Sequence, residues 1–305
     1  MQYSVSAAPH VRTKDSTAVL MLDVITALMP CVIAGIWLFG WAAARTILIS
    51  IIACVACELG YELLAKKPIT INDLSAVVTG MIFALNLPPT APWWMIVIGS
   101  LIAIVLVKQL FGGIGDNFVN PALAARAVLL ASWPALMSGS AFVNAFDGVS
   151  AATPLAAEGG ASYTMIDALI GRIPGSIGEV CKIAVLLGLL YLLIRKTISW
   201  RIPVTMIVSF MFFTWIFGGD PISGVLTGSI LFGAVFMATD YVTSPINIGA
   251  QFLYAAGAGL IIALIRNFGS YPEGTTYAIL LMNVCTPLLD RVTRRKVYGE
   301  VKADV

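Results

Sequence analysis

Runs of about 20 consecutive, mainly apolar residues recur along this chain and constrain its fold more than any other feature. A helix needs about 20 such residues to cross the roughly 30 Å hydrocarbon core of a bilayer. The 305-residue chain is 59% hydrophobic and only 11% charged, a balance that a soluble domain does not place on its surface. The sequence therefore predicts an all-α integral membrane protein. The full-length spans are predicted at about 19–39, 42–64, 92–111, 177–196, 201–218 and 247–266.

Four further apolar runs are shorter or interrupted by Pro, Gly, Ser, Thr and Asn residues. With the full-length runs they predict about ten transmembrane helices, five on each side of a polar connection at 134–175. The half-repeats are about 19–133 and 177–290, within a single membrane domain of residues 1–305. The shorter runs lie at about 74–89, 118–133, 222–239 and 275–290.

The two halves share a short motif. The stretch SAVVTGMI at 75–82 aligns with SGVLTGSI at 223–230, with five identities in eight positions. Because each half has an odd number of spans, sequential repeats must cross the membrane in opposite directions, and their broken helices then form a site near the midplane. This pattern predicts a 5+5 inverted repeat. The alternative is that small-residue helix interfaces look alike in any membrane protein.

The distribution of Lys and Arg predicts the orientation of the chain. With a cytoplasmic N-terminus, most basic residues fall in cytoplasmic loops or the C-terminal tail, and only Arg45, Arg172 and Arg266 fall clearly outside. Both termini are then cytoplasmic, and the connection at 134–175 is extracytoplasmic. The first apolar run is too long for a cleavable signal peptide and is predicted to be an uncleaved span. A net charge of only +2 provides no basic surface for nucleic acid.

The connection carries a tract of small and polar residues, DGVSAATPLA at 147–156. Thr153 presents a hydroxyl between side chains too small to obstruct an approaching enzyme, and the proline that follows disfavours helix at Thr153. The tract therefore indicates a modification site. Self-modification is not expected, because no histidine lies nearby to activate the hydroxyl. The alternative is a Ser/Thr-rich turn that caps a helix or links two spans.

Two asparagines mark a candidate ligand site at the start of a short span. Asn117 and Asn120 are three residues apart, so that on a helix they would share one face, and Arg126 lies further along the same predicted span. Amides at membrane depth need partners, which can be a ligand with both hydrogen-bond donors and acceptors. The alternative is interhelical hydrogen bonding that holds the bundle together.

Carboxylates within or near the spans are costly to bury and therefore indicate function. Asp240 ends a short, broken span and is predicted to face the site near the midplane. Glu58 and Glu62, one turn apart, are candidates for an ion or proton pathway. Asp23 and Asp290 lie close to span ends, where solvation is the simpler explanation.

The five cysteines indicate neither a disulfide framework nor a metal site. Cys54 and Cys57 form a Cys-x-x-Cys pair inside a span, but an iron–sulfur cluster needs four thiolates and the sequence has no second pair. We expect both to be small buried residues, and we predict no metal site.

The tract at 147–156 resembles the flavinylation motif of a known family. The family comprises the D subunits of Rnf ferredoxin:NAD oxidoreductase complexes and the B subunits of sodium-pumping NADH:quinone reductases. The similarity covers essentially the whole chain and departs from the motif at Ala151, where the family usually has glycine. The matching residues are Asp147, Ser150, Ala152 and Thr153, and further matching stretches are LNLPP at 85–89, GGIGDNFVNPALAARA at 112–127, FMATDYVTSP at 236–245 and FGSYPEGTTYAILLMN at 268–283.

The resemblance implies two flavins. A flavin transferase would join FMN through its phosphate to Thr153. A second, noncovalent flavin, which is riboflavin in the quinone reductases, would bind at Asn117 and Asn120, and we expect Arg126 and Asp240 near it.

The resemblance also implies a complex in the bacterial inner membrane that passes electrons from ferredoxin to NAD⁺ and moves Na⁺ or H⁺. The chain would be one component of it and not catalytic alone, since it has no Gly-rich dinucleotide-binding fingerprint. Its partners would be membrane iron–sulfur subunits, an extracytoplasmic FMN subunit, and cytoplasmic ferredoxin- and NAD-binding subunits. The family resembles urea and ammonium transporters in architecture. A passive channel or small-molecule transporter of that fold, the quinone-reductase homologue, and a purely structural membrane component are the alternatives.

Overall fold

The computed structural model describes residues 16–137, 141–142, 164–269 and 274–294, and every regular element within these ranges is a helix. Two of the helices continue as π-helices, in which N–H groups bond to the carbonyl five residues back. The helices are α1 (Thr17–Phe39), α2 (Trp41–Leu64), α3 (Ser75–Leu85), α4 (Trp93–Leu101, continued as a π-helix over Ile102–Gln109), α5 (Pro121–Ser132), α6 (Pro134–Met137), α7 (Met165–Ile170), α8 (Lys182–Ile194), α9 (Arg201–Ile216), α10 (Pro221–Leu226), α11 (Ile230–Phe232, continued as a π-helix over Gly233–Met237), α12 (Ile248–Phe268) and α13 (Thr275–Val292).

Each of the ten predicted apolar runs contains one or more of these helices, so the all-helical prediction is confirmed. Helices α1, α2 and α12 are long and apolar enough to cross a membrane by length and composition. Helices α3, α5, α8 and α9, and α4 with its π-helical continuation, are shorter apolar helices. This set of helices indicates a membrane protein.

Two of the shorter runs are interrupted where the sequence disfavours helix. Helix α3 stops at Leu85, three residues before Pro88, because proline has no N–H and does not fit a helix interior. The run predicted at 222–239 is divided between α10 and α11, and Gly228 in the gap has a φ of +77°, a conformation that suits glycine.

The segment that precedes α8 forms hydrogen bonds to the C-terminal end of α3. The N–H of Gly178 donates to the carbonyl of Leu85 at 2.7 Å, and that of Ile177 to the carbonyl of Leu87 at 3.2 Å. These contacts satisfy carbonyl groups at and just beyond the end of α3 that have no partner within the helix. The span predicted from 177 therefore becomes helical only at Lys182.

A close helix contact joins the two halves of the chain. Helix α1 packs against α8, α2 against α3 and α4, α9 against α10 and α12, and α5 against α13. At Gly188 of α8, an added Cβ would lie 2.5 Å from the carbonyl oxygen of Ala27 in α1. Glycine is thus required for this approach.

The expectation that Asp23 and Asp290 are simply solvated is wrong. Asp23 is only 6% exposed, and its carboxylate accepts from Arg195 at 3.1 Å and from the Tyr191 hydroxyl at 3.1 Å. Asp290 accepts from the backbone N–H of Asn247 at 2.9 Å, next to the start of α12. Both carboxylates link elements that are far apart in sequence, which hydropathy does not reveal.

The connection at 134–175 contains two short helices that hydropathy does not predict, α6 and α7. Helix α7 begins with a capping box: the backbone N–H of Asp167 donates to the Thr164 hydroxyl, which in turn donates to the Asp167 carboxylate at 2.5 Å. This hydrogen bond lowers the pKa of Asp167. The box fixes where the chain enters the second half.

Candidate functional site

A cavity lies where α3, the start of α5 and the two π-helical segments meet α1 and α8. Three of the residues singled out in the sequence, Asn117, Asn120 and Asp240, line this cavity together. Residues from both halves of the chain therefore form one site.

Asn120 has a structural role in addition to lining the cavity. It is the N-cap of α5: its Oδ1 accepts from the backbone N–H of Ala122 at 3.1 Å and of Leu123 at 3.3 Å, and Pro121 occupies the first helical position. Its Nδ2 donates to the carbonyl of Met237 at 3.4 Å. The side chain thus joins the start of α5 to the second π-helical segment.

Asn117 offers the cavity a free hydrogen-bond acceptor. It follows a turn in which Gly112, Gly113 and Gly115 all have positive φ, so the chain can fold back against the bundle. Its Oδ1 is buried and has no hydrogen-bond partner within the described residues. A buried acceptor without a partner costs free energy, and a bound ligand with an N–H group would remove that cost.

Asp240 lies just beyond the second π-helical segment and is half-buried. Its Oδ2 accepts from the Thr243 hydroxyl at 3.0 Å. The broken span thus ends on a carboxylate in the cavity wall.

Lys108 and Ser75 also line the cavity, although hydropathy and spacing do not single them out. Lys108 is only 3% exposed and forms an ion pair with Glu58, which is fully buried. Gln109 donates to the same Glu58 oxygen at 2.9 Å. The sequence nevertheless contained information that could have identified Lys108. A buried carboxylate requires a counter-charge, and Lys108 is the single basic residue of the run at 92–111.

Arg126 is not brought to the cavity. It is 3% exposed, and its Nη1 donates to the side-chain oxygen of Asn86 at 2.9 Å. Asn86 in turn donates to the carbonyl of Ile82 at 2.7 Å. Arg126 therefore links α5 to the C-terminal end of α3 through hydrogen bonds.

The two glutamates of α2 both have partners. Glu58 is paired with Lys108, and Glu62, which is 2% exposed, accepts from the hydroxyl and the backbone N–H of Thr70. Their part in an ion or proton pathway stays a prediction.

The motif residues of the connection, Asp147, Ser150, Ala152 and Thr153, lie outside the described residues. The attachment of a flavin at Thr153 therefore also stays a prediction.

Comparison with known proteins places the whole chain among one group of sequences. The model of the NQR2, RnfD, RnfE family matches residues 4–299. The D subunit of the Na⁺-translocating ferredoxin:NAD⁺ oxidoreductase complex of Acetobacterium woodii is 48% identical over 308 residues, which cover 99% of this chain and 97% of the relative. The D subunit of the proton-translocating ferredoxin:NAD⁺ oxidoreductase complex of Clostridium ljungdahlii is 41% identical, with 97% and 96% covered. The D subunit of the ion-translocating oxidoreductase complex of Escherichia coli is 32% identical, with 99% and 100% covered.

Proposed function

The chain belongs to the NQR2, RnfD, RnfE family, and from this we propose that it is a membrane flavoprotein subunit of an ion-translocating ferredoxin:NAD⁺ oxidoreductase complex. The relatives named above are subunits of such complexes. The chain would carry electrons within the complex and would not be catalytic alone. Its partners would be the iron–sulfur, FMN-carrying, ferredoxin-binding and NAD-binding subunits.

The observation that carries the proposal is the cavity shared by Asn117, Asn120 and Asp240. A flavin ring has N–H donors and carbonyl and nitrogen acceptors along one edge, and the unpartnered Oδ1 of Asn117 suits such a donor. The second amide, of Asn120, and the ammonium of Lys108 are donors in the same wall. When bound there, a flavin would supply one- and two-electron transfer. We therefore assign a noncovalent flavin, riboflavin or FMN, to this cavity.

We further propose that FMN is joined through its phosphate to Thr153. The support is the match of Asp147, Ser150, Ala152 and Thr153 to the family's motif, together with small neighbouring side chains that leave the hydroxyl accessible. A flavin transferase would make the bond. Ala151 replaces the usual glycine, and a methyl group is compatible with an extended backbone.

The helix contacts support an inverted repeat of the 5+5 type found in urea and ammonium transporters. Corresponding helices of the two halves pair, α1 with α8 and α5 with α13. A second cavity lies at the C-terminal end of α9. Ser223 and Thr227 line it, as Ser75 and Thr79 line the first cavity. In an inverted repeat, equivalent residues face opposite sides of the membrane.

The orientation that we propose follows the excess of Lys and Arg in the loops. Both termini and the first cavity would then face the cytoplasm, and Thr153 would face the exterior of a bacterial inner membrane. The transported ion would be Na⁺ or H⁺, since relatives of both descriptions are similar over 96–97% of their length.

Replacement of Asn117 by leucine tests the cavity. We expect Asn117→Leu to weaken retention of the noncovalent flavin about tenfold, because the ring donor would lose its acceptor in a buried site. Flavin released by acid from the purified complex would be measured chromatographically. Asn120 is less suitable, since its loss would also uncap α5.

Asn72→Leu is the matched control, because Asn72 is exposed and lies outside the cavity. It should retain the flavin of the unaltered chain. Equal flavin content and equal retention in the two variants would contradict the assignment.

A further inference from the structure

The ion pair between Lys108 and Glu58 is buried beside the cavity. Lys108 is 3% exposed and Glu58 is fully buried. Gln109, the last residue of the first π-helical segment, donates to the same carboxylate oxygen. The other oxygen, Oε2 of Glu58, has no hydrogen-bond partner in the part of the chain that the structure describes. The Glu58 carboxylate is thus stabilised from one side only.

The ammonium of Lys108 donates hydrogen bonds to two side chains, a carboxylate and a hydroxyl. One N–H donates to Glu58, and another donates to the hydroxyl of Ser75 at 2.6 Å. Ser75 passes the chain of hydrogen bonds on to the carboxylate of Asp73 at 2.5 Å. Both Lys108 and Ser75 line the cavity.

An ammonium group has three N–H donors. Two are used by Glu58 and Ser75, and the described residues provide no acceptor for the third. Because Lys108 is part of the cavity wall, an occupant of the cavity would be a suitable acceptor. The same cation would then serve the occupant and Glu58 at once.

We infer that Lys108 is a positioning residue that couples the charge of the molecule in the cavity to the charge state of Glu58. This inference rests on the flavin proposed above. A flavin held there and reduced by two electrons and one proton, with the electrons supplied by a low-potential carrier of the complex, would carry one negative charge. The ammonium of Lys108 would then lie between that charge and the Glu58 carboxylate and would be shared by both.

The consequence is a defined link between electron transfer and a buried carboxylate of α2. With its counter-charge shared, and with Oε2 unpartnered, the Glu58 carboxylate would lack full compensation of its charge and would attract a second cation. The link acts in both directions, because a coupling free energy between two sites is reciprocal. Neutralising Glu58 should therefore raise the midpoint potential of a flavin in the cavity, and removal of the Lys108 charge should oppose that rise.

The test is a spectroelectrochemical titration of the full-length chain in the Thr153→Ala background, in which only noncovalent flavin would absorb. Glu58→Gln keeps the acceptor for Lys108 and Gln109 but removes the negative charge. We expect the midpoint potential to rise, with the ratio of reduced to oxidised flavin at a fixed applied potential increasing about tenfold or more. Two unit charges within roughly 8 Å interact at least that strongly at an effective dielectric constant of about 20.

The double variant Glu58→Gln with Lys108→Met removes both charges, and its potential should return close to that of the unaltered chain. Glu62→Gln is the matched control, since Glu62 is one turn away on α2 and is bonded to Thr70 instead. It should leave the potential nearly unchanged.

The outcomes separate the inference from the function on which it rests. Equal potentials for Glu58→Gln and the double variant would overturn the role of Lys108, as would equal shifts for Glu58→Gln and Glu62→Gln. A chain that retains no noncovalent flavin would overturn the proposed cavity ligand, and the inference with it. Unchanged flavin content with the pattern of potentials described above would support both.

Discussion

Replacement of Thr153 by alanine should completely abolish the covalent flavin that we propose for this chain. The threonine hydroxyl is the atom through which the phosphate would be attached, so no neighbouring side chain should substitute for it. With the cognate flavin transferase co-expressed, the unaltered chain should give a fluorescent band under ultraviolet light on a denaturing gel. The Thr153→Ala band should be dark at equal protein load.

Ser150→Ala is the control for this experiment, because it removes the other hydroxyl of the tract and leaves Thr153 in place. Its band should remain fluorescent. A fluorescent Thr153→Ala band would move the attachment site elsewhere, and a dark band from the unaltered chain would contradict covalent flavin altogether. Ala151→Gly restores the family's usual residue and should not reduce labelling.

The second large effect is expected at the contact between α1 and α8. Gly188→Ala would place a Cβ 2.5 Å from the carbonyl oxygen of Ala27 and 2.6 Å from the ring of Phe236. A backbone oxygen moves only if its helix moves, so we expect destabilisation of about 1–3 kcal/mol. Thermal unfolding of the detergent-solubilised chain, followed by tryptophan fluorescence or by loss of the monodisperse peak in size-exclusion chromatography, measures this.

Gly60→Ala is the matched control, because it makes the same glycine-to-alanine change within a helix. Gly60 lies inside α2, and among the described residues no atom outside its own helix lies within 4 Å of an added Cβ. Alanine is favoured over glycine within a helix by about 1 kcal/mol, so this variant should be neutral or stabilised. Similar unfolding temperatures for the two variants would show that the α1–α8 approach is looser than the structure indicates.

The helices were predictable from the sequence because lipid imposes their length. An apolar run long enough to span the bilayer has few alternatives to a helix, and all ten predicted runs contain helices. That Asn117, Asn120 and Asp240 lie together was predictable from the sequence for a related reason. Polar residues at the ends of short, broken spans must be satisfied by one another or by a ligand.

The side-chain partners were not predictable, because they join residues far apart in sequence. Arg126 supports Asn86, forty positions earlier, instead of lining the cavity. Lys108 pairs with Glu58, fifty positions earlier. Hydropathy and spacing locate a buried charge on its own helix, but the partner depends on how the helices pack.

The π-helical segments have a consequence for the cavity that they border. In the first, the N–H of Leu110 donates to the carbonyl of Val105 at 3.0 Å, and in the second that of Ala238 donates to Gly233 at 2.8 Å, each five residues back. Returning one such turn to α-helical bonding would advance the register by one residue and rotate the side chains beyond it by about 100°. A shift of this kind in the first segment would swing Lys108 relative to Glu58 while the helix stayed intact. The cavity wall thus contains one π-helical segment from each half of the chain. A change of hydrogen-bond register in either segment would replace the side chains that face the cavity, without movement of whole helices.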